Sequence, residues 1–150
     1  ETGEPEALAY MRSPSPHPIA YSEPWSGVQR FLPVLRRQAL DVAIIATPWN
    51  GVWQSMTIAA VAEAHEVNVA CHNFYGHLCT MMNAHFCAAV PNLRIMEVDI
   101  DRIQWDHELF TYTPKYEEGH LIISDRHGWG TDPVEAAIRD YPPIEAHGSM

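Results

Sequence analysis

Short apolar runs alternate with longer stretches of helical periodicity along most of the chain. The clearest apolar run, residues 42–46, shows no polar alternation, which is typical of a strand covered on both faces. Between such runs, apolar residues recur at the three- and four-residue spacing of an amphipathic helix. This alternation predicts successive βα units on a parallel sheet.

Four strands and four helices are predicted before residue 99. The strands are at 18–21, 42–46, 67–71 and 93–98, and the helices at 5–11, 25–39, 52–66 and 77–90. The composition of residues 47–51 (TPWNG) is typical of a turn, and Pro33 predicts a kink in the second helix. Three βα units follow from this order.

The pattern changes after Asp99. Residues 109–114 and 121–124, separated by a turn at 117–119, predict an antiparallel strand pair. A final helix is predicted to begin at Thr131-Asp132-Pro133, with a capping side chain followed by proline in the first turn. The tail from Tyr141 onward is expected to be loose.

Charge and cysteine content narrow the class of protein. The 150 residues are 47% hydrophobic and carry a net charge of −10, so a sizeable core is expected and nucleic acid or an anionic membrane is not an expected partner. The acidic start lacks the basic region of an export signal. Three cysteines without a CxxC spacing favour neither a disulfide framework nor a zinc site, which predicts a cytoplasmic location.

Three polar residues end or directly follow predicted strands: Glu23, His72 and Glu97. In parallel α/β proteins, functional side chains gather where the carboxyl ends of the strands meet, so these three are expected on one rim. A carboxylate suits a hard cation and a neutral imidazole can remove a proton. The trio therefore predicts proton abstraction beside a metal ion.

Six segments stand in a recognisable order along the chain: PIAYSE (18–23), NGV (50–52), IAAVAEAH (58–65), NVACHNF (68–74), NLRIME (92–97) and GWGTD (128–132). Together they resemble the mandelate racemase and muconate lactonising group of the enolase superfamily. The similarity extends from about residue 5 to residue 143, and within that group the chain resembles acid-sugar dehydratases.

The resemblance implies an α/β fold, the C-terminal half of a (β/α) TIM-like barrel with a short antiparallel return segment and a final helix. Residues 1–98 would hold the last three to four βα units, and residues 99–150 the return segment with its hairpin, helix and tail. In that family a Mg²⁺ ion binds the substrate carboxylate and stabilises an enediolate. By the same resemblance, Glu23 is a metal ligand, His72 the acid/base residue, and Glu97 a hydrogen-bonding group to the substrate oxygen.

Two departures from the family pattern bear on activity. The capping domain and the half-barrel that supply two further metal carboxylates precede the position of Glu1, so we expect Mg²⁺ to bind weakly to Glu23 alone. The family also places an Asp at the end of the second strand, where this chain has Ile45, Ala46 and Thr47. His72 is therefore expected to lack the partner that sets its tautomer.

The sequence leaves two classes of function open. The first is a Mg²⁺-dependent dehydratase, or a racemase, acting on a small carboxylate such as an acid sugar and inactive as this isolated chain. The second is a catalytically silent half-barrel that serves as an assembly module. Both predict unpaired sheet edges and an apolar inner face lined by Ile44, Val69 and Ile95, and hence a homo-oligomer or a partner that carries the missing N-terminal half.

Overall fold

The computed structural model describes residues 5–142, and their centre is a four-stranded parallel sheet. The strands lie side by side in chain order, β1-β2-β3-β4, and every neighbouring pair is parallel. Parallel neighbours need a crossover connection, and a helix supplies each one. The strands are β1 (Ala20–Tyr21), β2 (Val42–Ile45), β3 (Asn68–Cys71) and β4 (Leu93–Met96).

The helices confirm the three predicted βα units but shift some boundaries. They are α1 (Pro5–Arg12), α2 (Val28–Arg36), α3 (Thr47–Glu63) and α4 (His77–Ala89). The predicted turn at 47–51 is instead a first helical turn of α3, separated from the rest by Gly51, whose φ of 69° only glycine adopts freely. No helix among the described residues is both long and apolar enough to cross a bilayer.

The main core lies between the sheet and its helices. Side chains of the sheet face that packs on the helices are almost wholly buried, because strand residues alternate between faces. The largest of the buried apolar residues from strands, helices and connections are Phe31, Leu35, Leu40, Ile45, Ile58, Val69 and Phe86.

The opposite face of the sheet lines an open cleft of about 460 Å³. Val42, Ile44, Ala70 and Ile95 contribute to its walls. The prediction that Val69 lines this face is wrong, because Val69 pairs in register with Ala43 in the helix-side core, whereas Ala70 pairs with Ile44 and Ile95. Ala70 therefore occupies the inner position.

The return segment forms a hairpin that differs in position from the prediction. Its strands are β5 (Lys115–Glu117) and β6 (His120–Ile122), after a 3₁₀ turn at Asp106–Leu109. The first strand was predicted at 109–114, but Phe110 instead forms an isolated bridge with Pro133. Glu118 and Gly119 both have positive φ (49° and 79°), and such a two-residue turn starts pairing at its immediate neighbours.

The last helix, α5 (Glu135–Asp140), begins later than predicted. The Thr131 hydroxyl does not cap it, because that hydroxyl bonds both the N–H and the carbonyl of Tyr112. The prediction of a loose tail is wrong at Tyr141, whose ring stacks on Trp105 with centroids 4.1 Å apart. The predicted tail beyond residue 142 lies outside the described residues.

An ion pair holds α1 to the amino-terminal ends of β1 and β2, at the edge of the sheet opposite the carboxyl ends of the strands. Arg12 Nε and Nη2 donate to Asp41 Oδ1 at 2.9 and 2.8 Å, and the N–H of Ile19 donates to Asp41 Oδ2 at 2.8 Å. The hydrogen bond from Arg12 lowers the pKa of Asp41. Asp41 thereby fixes the chain entering β1 to the chain entering β2.

Asp41→Asn should lower the free energy of unfolding by about 1 kcal/mol at neutral pH, since the pair is partly exposed to solvent. Because the folded-state pKa of Asp41 is lowered, its stabilisation is present above the ordinary Asp pKa of about 3.9 and is lost as the pH falls through the folded value. Urea titrations at several pH values measure this difference. Glu6→Gln, which breaks a more exposed pair with Arg37, is the control and should change stability less. If the variant were less stable by the same amount at strongly acidic pH, the loss of stability would not come from the charge of Asp41.

Candidate active site

The carboxyl ends of β3 and β4 bring His72 and Glu97 into contact. Glu97 Oε2 lies 2.8 Å from His72 Nδ1, and both side chains are partly exposed at the edge of the cleft. A carboxylate oxygen can only accept, so Nδ1 carries the proton. In the neutral ring, Nε2 is then the nitrogen with a free lone pair.

The prediction that His72 lacks a partner is therefore wrong. The expected Asp at the end of β2 is absent, but the next strand on the other side supplies the carboxylate. Parallel neighbours end at the same edge of a sheet, which is why a residue 25 positions later reaches the imidazole. Glu97 thus hydrogen-bonds the imidazole nitrogen for which the sequence offered no partner.

Asn73 holds Glu97 at two points. Its backbone N–H donates to Glu97 Oε2 at 2.7 Å, and its side-chain Nδ2 donates to the Glu97 carbonyl at 3.1 Å. The same carboxylate oxygen therefore receives one donor from His72 and one from Asn73. Oε1 of Glu97 takes part in neither bond.

Glu23 follows β1 and lines the same cleft as His72 and Glu97. Its Oε2 is buried and has no hydrogen-bond partner among the described residues. An unsatisfied buried carboxylate oxygen is costly, and a metal ligand position explains one. Within residues 5–142, no group of three or more His, Cys, Asp or Glu side chains is placed to hold a metal ion.

Four buried polar side chains lie beneath His72: Thr47, Asn73, Thr80 and Asn83. The sequence pattern marks Thr47 only as a position where the family's Asp is absent and assigns the other three no role. All four are 0% exposed. Thr80 and Asn83 sit on the core-facing side of α4, where the helical pattern predicts apolar residues. Polar residues on that face were the available signal of a buried network.

Arg102 from the return segment clamps the loop between β3 and α4. Its guanidinium donates to the Tyr75 carbonyl at 2.5 Å, to Thr80 Oγ1 at 3.1 Å and to Asp106 Oδ2 at 2.6 Å. His77 Nε2 lies 3.5 Å from the same Asp106 oxygen. Burial lowers the pKa of His77 despite that carboxylate, so the neutral ring is favoured.

The aromatic ring of Tyr75 stands edge-on to the imidazole of His72, with centroids 5.7 Å apart. Trp49, at the start of α3, donates from Nε1 to the Tyr75 hydroxyl. Trp49 is largely exposed. An aromatic pair therefore borders the imidazole on the side of the β2–α3 connection.

The thiols near the site are not candidate nucleophiles. Cys71 precedes His72, and its contact with Cys87 (Sγ–Sγ 3.4 Å) together with burial raises its pKa. Burial raises the pKa of Cys79 to about 11. Because a thiol reacts as the thiolate, these raised pKa values disfavour a nucleophilic role for either cysteine at neutral pH.

The family model described as "Enolase C-terminal domain-like" matches residues 2–137. The chain therefore belongs to the enolase C-terminal domain-like family, which confirms the resemblance seen in the sequence. It also confirms the predicted fold class, since the four-stranded parallel sheet and its helices form half of an α/β barrel.

Curated relatives and solved structures agree with this membership. A D-galactonate dehydratase family member from Oceanicola granulosus is 29% identical over 142 residues, which is 91% of this chain and 35% of that protein. A D-xylonate dehydratase from Haloferax volcanii is 30% identical over 115 residues, 76% of this chain and 26% of that protein. The chain thus spans about a third or less of these relatives.

Among solved structures, a proposed L-alanine-DL-glutamate epimerase from Burkholderia xenovorans strain LB400 is 63% identical. That crystal structure is bound to magnesium and fumarate, has a TM-score of 0.92, and is matched over 95% of this chain and 35% of its own. A mandelate racemase/muconate lactonizing enzyme from Sulfitobacter sp. is 28% identical, with a TM-score of 0.87 over 95% of this chain and 36% of its own.

Asp106→Asn should lower the free energy of unfolding by about 3 kcal/mol, because it leaves the charge of the mostly buried Arg102 without its carboxylate. Chemical denaturation measures the loss. Glu135→Gln is the matched control, since it removes the carboxylate from an exposed i,i+4 pair with Arg139 and should have little effect. Equal effects of the two variants would show that Arg102 does not clamp the loop.

Proposed function

We propose that the chain carries the acid/base half of the active site of a Mg²⁺-dependent lyase that dehydrates an acid sugar or a related hydroxylated carboxylate. The observation that supports this most directly is the contact between His72 Nδ1 and Glu97 Oε2 on the cleft that Glu23 also lines. The dehydratases among the relatives support the reaction type.

A divalent cation would stabilise the negative charge that the substrate carboxylate gains when its α-proton leaves. Glu23 is the residue of this chain suited to hold that ion, because its buried Oε2 has no other partner among the described residues. Mg²⁺ needs a near-octahedral shell of oxygens, so further ligands must come from elsewhere. The magnesium and fumarate in the Burkholderia xenovorans structure support both the ion and a carboxylate ligand.

His72 would move the proton. Nε2 takes the α-proton, and Glu97 stabilises the imidazolium that forms at 2.8 Å from its carboxylate. The electron pair of the broken C–H bond forms a C=C bond as the β-hydroxyl leaves. That hydroxyl takes the proton from His72 and departs as water, and the enol product becomes a ketone.

Glu97 would act mainly by orienting His72. One of its oxygens already accepts from the imidazole and from the Asn73 N–H. The hydrogen bond to a substrate oxygen that the resemblance predicts for Glu97 would be made by its other oxygen, Oε1. A carboxylate at this position also fixes the tautomer in which Nε2 is the base.

Epimerisation is the second candidate, favoured by the 63% identity to the proposed epimerase. Inverting a centre requires a base on each face of the α-carbon. His72 would serve one face, and the second base would come from outside this chain. Dehydration needs only His72, which is why the lyase is the first proposal.

We further propose that catalysis requires more of the barrel than this chain. Edge strands β1 and β4 each have an unpaired side within the described sheet. The cleft is open, and its floor is apolar. The span of about a third of the curated relatives supports a longer working protein.

The first test uses the longer protein proposed above, incubated with D-galactonate, D-xylonate and L-alanine-glutamate peptides in D₂O. His72→Asn should reduce exchange of the α-proton by about 10³-fold, because it removes the base. It should leave Mg²⁺ affinity within about twofold of the unaltered protein, whereas Glu23→Gln should weaken it at least about tenfold. NMR spectroscopy follows the exchange and calorimetry follows the metal.

The matched controls are His17→Asn and Glu117→Gln, which change the same residue types at exposed sites outside the cleft. Equal loss of Mg²⁺ affinity in the His72 and Glu23 variants would show that the two roles are wrongly divided. A product that has lost water supports the lyase, whereas deuterium at an inverted α-carbon without loss of water supports the epimerase.

The isolated 150-residue chain should not turn over acid sugars and should form dimers or larger species at micromolar concentration, since unpaired strand edges associate. Light scattering and an activity assay with Mg²⁺ measure both. A stable oligomer that resists dissociation by the rest of the barrel would instead favour the silent assembly module. A cooperatively melting monomer would contradict the half-barrel argument, and Mg²⁺-dependent dehydration abolished by His72→Ala would contradict the need for further strands.

A further inference from the structure

A buried line of hydrogen bonds connects the end of β2 to the His72–Glu97 pair. It begins at Thr47, the first residue of α3, whose hydroxyl donates to Asn83 Oδ1 on α4. Asn83 Nδ2 then donates to the carbonyl of His72 and to Asn73 Oδ1, both at 3.2 Å. The line thus reaches the main chain of the imidazole residue.

Asn73 carries the line onward to Glu97. Its Oδ1 accepts from Asn83, while its Nδ2 donates to the Glu97 carbonyl and to Thr80 Oγ1, both at 3.1 Å. Its backbone N–H holds the carboxylate itself at 2.7 Å. The two residues of the His72–Glu97 pair are therefore positioned by the same two amides.

Thr47 sets the orientation of the whole line. An asparagine amide presents an acceptor on one side and donors on the other, and the Thr47 hydroxyl occupies the acceptor side of Asn83. The donor side then faces the His72 carbonyl. Since Thr47, Asn73 and Asn83 are all 0% exposed, water cannot replace a lost partner without entering the core.

We propose that Thr47 is a positioning residue for the His72–Glu97 pair, acting through Asn83 and Asn73. The inference rests on the proposed function, in which Nε2 of His72 is the base. Thr47 stands at the end of β2, yet it adds no charge beside the imidazole. It fixes where the imidazole residue and its carboxylate lie, and so which ring nitrogen carries the proton.

The test is the tautomer of His72 in the ¹⁵N-labelled 150-residue chain, without substrate or metal, at a pH where imidazole is neutral. Long-range ¹H–¹⁵N NMR spectra show which ring nitrogen is protonated. The unaltered chain should show mainly the Nδ1–H form. Thr47→Val keeps the shape and removes the hydroxyl, so the ratio of Nδ1–H to Nε2–H should fall about fivefold, the factor expected for one lost hydrogen bond.

Two variants separate positioning from packing. Thr47→Ser restores the hydroxyl and should return the ratio to within about twofold of the unaltered chain. Thr57→Val removes a hydroxyl that bonds the Trp53 carbonyl on the exposed side of the same helix, and it should leave the ratio unchanged. A ratio that falls equally in both valine variants would overturn the proposal.

Asn83→Leu provides a second break, because it removes the donor to the His72 carbonyl and to Asn73 Oδ1 at similar volume and without adding a buried charge. It should lower the ratio as Thr47→Val does. A folded variant with an unchanged ratio overturns the inference, and so does loss of the fold in both variants, since a positioning network leaves the core intact. The readout needs no turnover, so a failure to exchange α-protons in the longer protein would reject the proposed function while leaving this result standing.

Discussion

The complete burial of Asn73 is the constraint on which the active-site end of the molecule depends. A buried amide must have its donors and its acceptor paired, and here the partners are the Glu97 carbonyl after β4 and the side chains of Thr80 and Asn83 on α4. Satisfying that one side chain brings the ends of β3 and β4 to a fixed separation. The contact between His72 and Glu97 follows from it, since His72 directly precedes Asn73 and Glu97 accepts hydrogen bonds from Asn73.

The return segment completes this arrangement from outside the sheet. Arg102 reaches the loop after β3 and shares Thr80 with the buried amide network, while Asp106 neutralises its charge. The return segment is therefore linked to the strand ends, because Arg102 and the side-chain amide of Asn73 both donate to the Thr80 hydroxyl. Movement of the return segment would therefore displace the loop that follows His72, because Arg102 is bonded to the Tyr75 carbonyl in that loop.

The sequence was sufficient for the order of elements and for the three strand-end residues, because apolar runs and turn residues are local signals. It was insufficient where the answer depended on contacts between elements. Val69 and Ala70 in the strand at 67–71 are both apolar, so residue type does not show which of them points into the cleft, and the in-register pairing with β2 decides it. The partner of His72 was sought on the preceding strand, whereas the next strand supplies it.

Apolar and polar side chains occupy different parts of the cleft. The floor is apolar, with Val42, Ile44 and Ala70, while the carboxylates and the imidazole stand at the strand ends. Charges beside an apolar floor interact more strongly than in water, so two carboxylates near one cleft favour cationic partners. An imidazolium formed during proton transfer would satisfy Glu97, and a divalent cation would satisfy Glu23. The same electrostatic imbalance therefore supports both roles proposed for His72 and Glu23, and the uncharged amides beneath His72 can set geometry without altering that balance.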